Sequence, residues 1–206
     1  MGEYQRGGML RTLFSSTDPL SMLAAEGHGF YSSDADPNDV VTGQTSFANT
    51  SPTFILSNPA GSGVIIIPVM ISLTQSGTVA GGDIDVLVEL DNTDRFSSGG
   101  TAELVFCSRT DSPRGTTAAD GTGINKGILR SGATTSAGVG INVYRQRLGA
   151  DISPAEGAVQ EVFWAPTGSL DFMAPGSSLL VYTYAGTTGP TWLWSFKWLE
   201  INTDEV

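Results

Sequence analysis

Residues able to carry strong chemistry are scarce in this chain: its 206 residues include one cysteine, Cys107, and one histidine, His28. A single cysteine can build neither an internal disulfide framework nor a cysteine zinc cluster, and its place in ELVFC predicts a small buried hydrophobe. A single histidine leaves any Ser or Cys nucleophile without an ordinary triad base and supplies no pair for a metal. Set among turn formers in Gly27-His28-Gly29, His28 is expected to be solvated. Positive charge is also short, with ten lysines and arginines against 21 acids and a formal net charge of -11. An acidic partner releases no counterions from phosphate backbones or anionic lipid, so neither nucleic acid nor a membrane is expected as a partner. The longest apolar run, VIIIPVMISL from Val64 to Leu73, is half the length a membrane-spanning helix needs and is rich in β-branched residues, so it predicts a buried strand. The N-terminal MGEYQRGGMLRTLF lacks the apolar centre of a signal peptide, and synthesis and folding inside a cell are expected.

What is present points to strands and turns. Glycine is abundant at 26 residues and charged residues make up only 15%, a composition suited to many turns and a lightly charged, hydroxyl-rich surface. From Thr45 onward short β-type runs alternate with turn clusters: TSFAN, TFILS, GVIIIPVMISLTQ, DIDVLVELD, TAELVFCS, VGINVY, AVQEVFWA, SSLLVYTYA and TWLWSFKWLEI. Their number and spacing predict an all-β, jelly-roll-like antiparallel β-sandwich over residues 44–206. Residues 1–43 are irregular apart from one short helix at DPLSMLAAE, where Pro19 takes the first helical position. They are expected to form an arm whose apolar anchors Leu10, Leu13, Phe14, Leu20 and Leu23 dock on a neighbouring subunit.

The strands differ in how their apolar residues alternate. In DIDVLVELD, Ile84, Val86, Val88 and Leu90 oppose Asp83, Asp85, Glu89 and Asp91, which predicts one core face and one wet acidic face. In GVIIIPVMISL both registers are apolar, with Ile65, Ile67, Val69 and Ile71 against Val64, Ile66 and Met70, and LLVYTY is similar. Such strands need cover on both faces, from the arm or from another subunit, and an oligomer is the economical source. Pro68 cannot donate to a ladder, which predicts an edge or a bulge at that point. The last strand places Trp192, Trp194, Phe196 and Trp198 on one face. That run is too apolar and regular for a shallow sugar site, so these rings, with Ile65, Ile67 and Val69, are expected to line the sandwich core or an oligomer seam.

No residue earns a catalytic, cofactor-binding or metal-binding role, and the chain is expected not to be an enzyme. The pair Asp83/Asp85 and the turn Asp91-Asn92-Thr93-Asp94 contain the carboxylates that glycosidases or calcium sites use, but adjacent same-strand acids suit a solvated face and DNTD suits an Asx turn. The glycine-rich PAGSG, AGG and SSGG lack a following Lys-Ser/Thr and helix, so they read as turns and not phosphate cradles. The polar stretch from Arg109 to Gly138, which carries Arg114, Lys126 and Arg130, reads as a long loop suited to binding or to spacing.

Two segments, NPAGSGVIIIPVMISLTQSGTVAGGDIDVLVELD (Asn58 to Asp91) and APGSSLLVYTYAGTTGPTWLWSFKWLEI (Ala174 to Ile201), resemble the β-rich structural proteins of tailed-bacteriophage virions, most of all the jelly-roll capsid decoration or cement proteins. The resemblance implies a homotrimer seated on the capsid exterior after synthesis in the host cytoplasm, contacting the major capsid protein and cementing neighbouring subunits. Under that implication the arm docks on capsid protein as well as on its own neighbour. A tail or fibre component is the nearby alternative. A carbohydrate-binding module, with tryptophans displayed to stack on glycan, is the alternative from another class.

Overall fold

The computed structural model describes residues 19–34, 36, 39–76, 83–109, 125–150, 160–166, 171–186 and 188–205. A seven-residue helix, α1 (Pro19–Ala25), starts at the proline, where a missing N–H costs nothing. The strands are β1 (Gly29–Ser33), β2 (Val41–Thr42), β3 (Phe54–Asn58), β4 (Val64–Ser76), β5 (Asp83–Asp91), β6 (Phe96–Ser98), β7 (Thr101–Ala102), β8 (Phe106–Cys107), β9 (Ile128–Ser131), β10 (Thr134–Thr135), β11 (Ile141–Ala150), β12 (Glu161–Trp164), β13 (Ser177–Ala185) and β14 (Thr191–Asn202).

Two six-stranded sheets carry the fold. The first runs β12-β4-β14-β1-β8, with β2 also paired to β14, and the second runs β11-β5-β13-β3-β9-β7. In chain order the eight principal strands are β1, β3, β4, β5, β11, β12, β13 and β14. The first pairs with the last, the second with the seventh, the third with the sixth and the fourth with the fifth, all antiparallel. Two further antiparallel pairs, β4 with β14 and β5 with β13, join these hairpins into sheets. That nested order is the jelly roll, two Greek keys wound into a double sheet. The chain is therefore an all-β antiparallel sandwich, as its turn-punctuated strands predict.

Alternation places one apolar face of each sheet in the shared interior. Phe54 and Leu56 of β3, Ile84, Val86 and Val88 of β5, and Leu179 and Val181 of β13 meet Phe30 of β1, Ile71 and Leu73 of β4, and the aromatic row of β14 in one core. Phe54 stands at the contact between the sheets, its ring centroid 5.3 Å from that of Trp194 and 5.1 Å from that of Phe196.

The doubly apolar pattern of β4 has a local cause. Lys197 pairs with Met70 but Trp198 pairs with Pro68, so Val69 is the extra residue of a bulge. The strand changes phase there: Val64 and Ile66 join the core before the bulge and Ile71 and Leu73 after it. Ile65, Ile67 and Val69 fall outside the inter-sheet core, with Ile67 buried and the other two half-buried. Pro68 sits beyond the stretch of β4 that β12 reaches, where a missing donor leaves no ladder bond unmade.

The second doubly apolar strand, β13, is covered from within the chain. Leu180 and Tyr182 on its outer face pack with Ile55, Ala133, Leu87 and Phe96 in a smaller cluster, where the β6–β10 pair lies over the second sheet as a third layer. Cover by another subunit is not what buries these side chains.

Residues 29–33, inside the stretch read from sequence as an arm, form β1, a sheet strand flanked by β14 and β8, and Val41–Thr42 pairs with the start of β14. GFYSS is too short and glycine-flanked to announce a strand, and β14 supplies the partner that makes it one. Leu10, Leu13 and Phe14 lie outside the described residues, whereas Leu20 and Leu23 belong to α1. The helix packs close to β1: a Cβ on Gly29 would lie 3.1 Å from that of Ala24 and 2.8 Å from Ser108 Oγ, so a side chain there would force its neighbours to shift.

Candidate functional site

Three regions could carry function: the aromatic row of β14, the side of the sandwich where the sheets part, and the outer face of the second sheet. In the first, Trp192, Trp194, Phe196 and Trp198 are all buried in the inter-sheet core. Trp192 Nε1 donates to Thr183 Oγ1 at 2.9 Å and Trp198 Nε1 to Glu200 Oε1 at 2.9 Å, so each ring's polar edge is satisfied inside the protein. Of the core and seam alternatives, these rings occupy the core, and they present no face to a sugar. Glu200 completes the arrangement by accepting from the backbone N–H groups of Lys126 and Gly127 at 2.7 and 2.8 Å, which fastens the loop before β9 to β14. Burial pushes its carboxyl above the usual range even though Trp198, Gly127 and Lys126 all donate to it.

The second region lies where the edge strands β11 and β12 end their sheets on the same side of the sandwich. Val143 and Tyr144 of the one and Phe163 and Trp164 of the other line a common cleft of about 440 Å³ with Asp171. Ile141, Phe163 and Phe172 are large, apolar and exposed on or beside these edges. Long edge strands usually carry charge or cover against association; β11 does carry the exposed Arg145 and Arg147, and beside these charges the same side displays large apolar side chains.

The third region overturns the expected wet face of DIDVLVELD, because Asp85 and Glu89 are buried. Arg147 holds Asp85 with two hydrogen bonds, Nε to Oδ1 at 3.0 Å and Nη2 to Oδ2 at 2.8 Å. Arg95, itself fully buried, brings Nη1 to 3.7 Å from both Glu89 and Asp91. It also donates from Nε to the Ser136 carbonyl at 3.0 Å and from Nη2 to the Asn49 carbonyl at 2.6 Å. Tyr182 shares that Asn49 carbonyl at 2.9 Å, and burial lifts its hydroxyl pKa to about 12. The strand's own periodicity shows the acids but not the arginines, which arrive from β11 and from the turn after β5.

The remaining candidates have structural roles. His28 is half-buried, with Nδ1 2.9 Å from the Glu200 carbonyl, and not a solvated loop residue. Cys107 is a free, buried thiol. In DNTD, the Thr93 N–H donates to Asp91 Oδ1 at 3.0 Å, which is an Asx turn. Within the Arg109–Gly138 stretch, residues 110–124 lie outside the described residues, while ILRS forms β9 and Arg130 lies 4.0 Å over the Phe96 ring. TSFAN forms no named strand. Among the described residues no group of three His, Cys, Asp or Glu side chains could hold a metal, and no helix is long and apolar enough to cross a membrane.

These features define a jelly-roll sandwich with a sealed aromatic core, an apolar open side and one outer face organised by buried ion pairs. No protein-family model and no curated protein matches the chain. Among solved structures, it is similar to a chain in the crystal structure of the T13 IBDV viral particle, at 13% identity and a TM-score of 0.12, over 84% of this chain and 44% of that one. A likeness of that size carries no argument about fold or function.

Proposed function

We propose that the chain is a non-enzymatic structural protein of a virion, which associates with itself and seats on the capsid exterior to cement neighbouring major capsid subunits. The observation that carries this reading is the open side of the sandwich, where Ile141 is 74%, Phe163 63% and Phe172 60% exposed beside two edge strands. Large apolar groups gathered at unpaired strand edges gain free energy by being covered, at roughly 25 cal/mol per Å² before association costs are subtracted. The burial of β13 by the β6–β10 layer moves the case for self-association away from the doubly apolar strands and onto this surface. The jelly-roll topology and the resemblance of residues 58–91 and 174–201 to phage decoration proteins support placement in a virion. A homotrimer is the expected closed form, since ring closure satisfies a head-to-tail contact in every copy.

Sedimentation velocity of the full chain tests self-association. A concentration-independent trimer, reduced to monomer in the double variant Ile141→Asp/Phe163→Asp with unchanged circular dichroism, is expected. A monomer throughout the micromolar range overturns the oligomer, and particle reconstructions with no density for the chain on the capsid exterior overturn the cementing role.

A further inference from the structure

The outer face of the second sheet holds a cleft that the structural role does not use. Phe47, in the loop between β2 and β3, and Tyr184 of β13 line it together with Gly138, Val139, Gly140 and Asn142, and Leu87 and Arg145 also line the cleft. Its volume is about 320 Å³, at the low end of small-molecule sites and enough for one six-membered sugar ring. We propose that this cleft binds a carboxylated pyranose, with one ring face against Phe47 and the carboxylate on Arg145.

The aromatic wall is presented and held. Phe47 is 47% exposed, yet its ring lies 5.2 Å from that of Tyr182 and 5.6 Å from that of Tyr184, tilted against both. A ring anchored by two others offers its surface with little conformational freedom left to lose on binding.

The charges select the ligand. Both oxygens of Asp85 accept hydrogen bonds from Arg147, and Arg145 reaches Oδ1 only at 4.0 Å while its side chain stays 66% exposed. Glu89, the acid lining the cleft, is already compensated by Arg95 and by the Gly140 N–H. Among the described residues that line the cleft, the cation left at the rim is Arg145, whose planar fork matches a carboxylate. Asn142 lines the same cleft with an amide able to meet a ring hydroxyl. An apolar side chain from a protein partner would leave Arg145 and Asn142 without polar partners, which favours the sugar. The site stands independently of the virion assignment.

The test is ligand-observed NMR on the full chain with N-acetylneuraminic acid and glucuronic acid as the two acidic probes, against glucose and N-acetylglucosamine. Saturable millimolar binding of at least one acidic sugar is expected, with saturation transfer strongest to ring protons. Phe47→Ala should weaken it at least about tenfold, and Arg145→Gln should weaken the acidic sugar about tenfold while leaving the neutral ones unchanged. Which acidic sugar binds separates a sialic acid from a uronic acid. No saturable binding of either acidic probe to the unmodified chain overturns the proposal, as does binding that both variants retain. Phe47→Ala changing the sedimentation coefficient with no sugar bound would make the cleft a protein contact and overturn it equally.

Discussion

The inter-sheet core and the node around Arg95 both bury their central side chains, but they are held by different physics. The core joins Phe54 to Trp194 and Phe196 across the two sheets with non-directional apolar contact and a few satisfied indole N–H groups. The Arg95 layer joins β5, the β2–β3 loop and the β10–β11 loop through one cation facing two carboxylates and two carbonyls. Apolar packing loses energy in proportion to the volume removed, whereas an ionic node fails whenever one partner is taken away and the others remain buried. The core therefore tolerates graded substitution and the node does not.

The largest break of that contrast is expected from Trp198→Ala. Removing the indole leaves a cavity beside Phe30, with which it stacks at 6.4 Å, and deprives Glu200 of a donor. A loss of about 4 to 5 kcal/mol in urea unfolding is expected, with Trp198→Phe costing less than half of that. Equal losses for both substitutions would show that the hydrogen bond, and not the volume, holds this part of the core.

Arg95→Met comes next, at about 3 kcal/mol, because it leaves the largely buried carboxylates of Glu89 and Asp91 without the cation they share. Adding Glu89→Gln to Arg95→Met should recover about 1 kcal/mol of that loss, and strict additivity in the double-mutant cycle would dissolve the node into independent contacts. Within the core, Trp192→Phe removes only the bond to Thr183 and part of a ring, and an effect of about 1 to 2 kcal/mol is expected.

The smallest effect is a pH dependence outside both regions. Glu103 has its carboxyl raised above the ordinary 4.5, first by burial, with Asp39 and Asp34 adding to it and the Ser131 hydroxyl, 2.5 Å away, opposing it. A raised native value means that the folded state holds the proton more tightly. The stability this brings is complete below pH 4.5 and is lost as pH rises through the native value. The urea midpoint of Glu103→Gln should fall less than that of the unmodified chain between mildly acidic and neutral pH. Identical pH profiles would show that Glu103 titrates alike in both states.

The fold class was legible because alternation and turn chemistry are local: TFILS, DIDVLVELD, SSLLVYTYA and TWLWSFKWLEI each become one strand within a residue or so of their sequence limits. GFYSS and ILRS were not, because each has only two large apolar or aromatic residues, side by side, too few to show a period, and each becomes a strand through a partner distant in the chain. The acidic row of β5 was legible as charge but not as burial. A period of two orders one strand's faces and is silent about which arginine comes to rest on them.

The candidate sites divide in the same way. The aromatic row of β14 could be read as one face of a strand, since its spacing alone sets the direction of its rings. The cleft beside Phe47 could not, because its lining comes from the β2–β3 loop, β5, β13, residues 138–140 and β11, and no motif links them. The sequence by itself determined the all-β class, the shared face of the tryptophans and the burial of Cys107, each a consequence of composition and short-range periodicity. Only the tertiary structure decided that a bulge at Val69 turns β4 over, that β13 is covered by its own chain, and that arginines reach the acids of β5. Each of those depends on contacts between residues far apart in the chain, which no local pattern encodes.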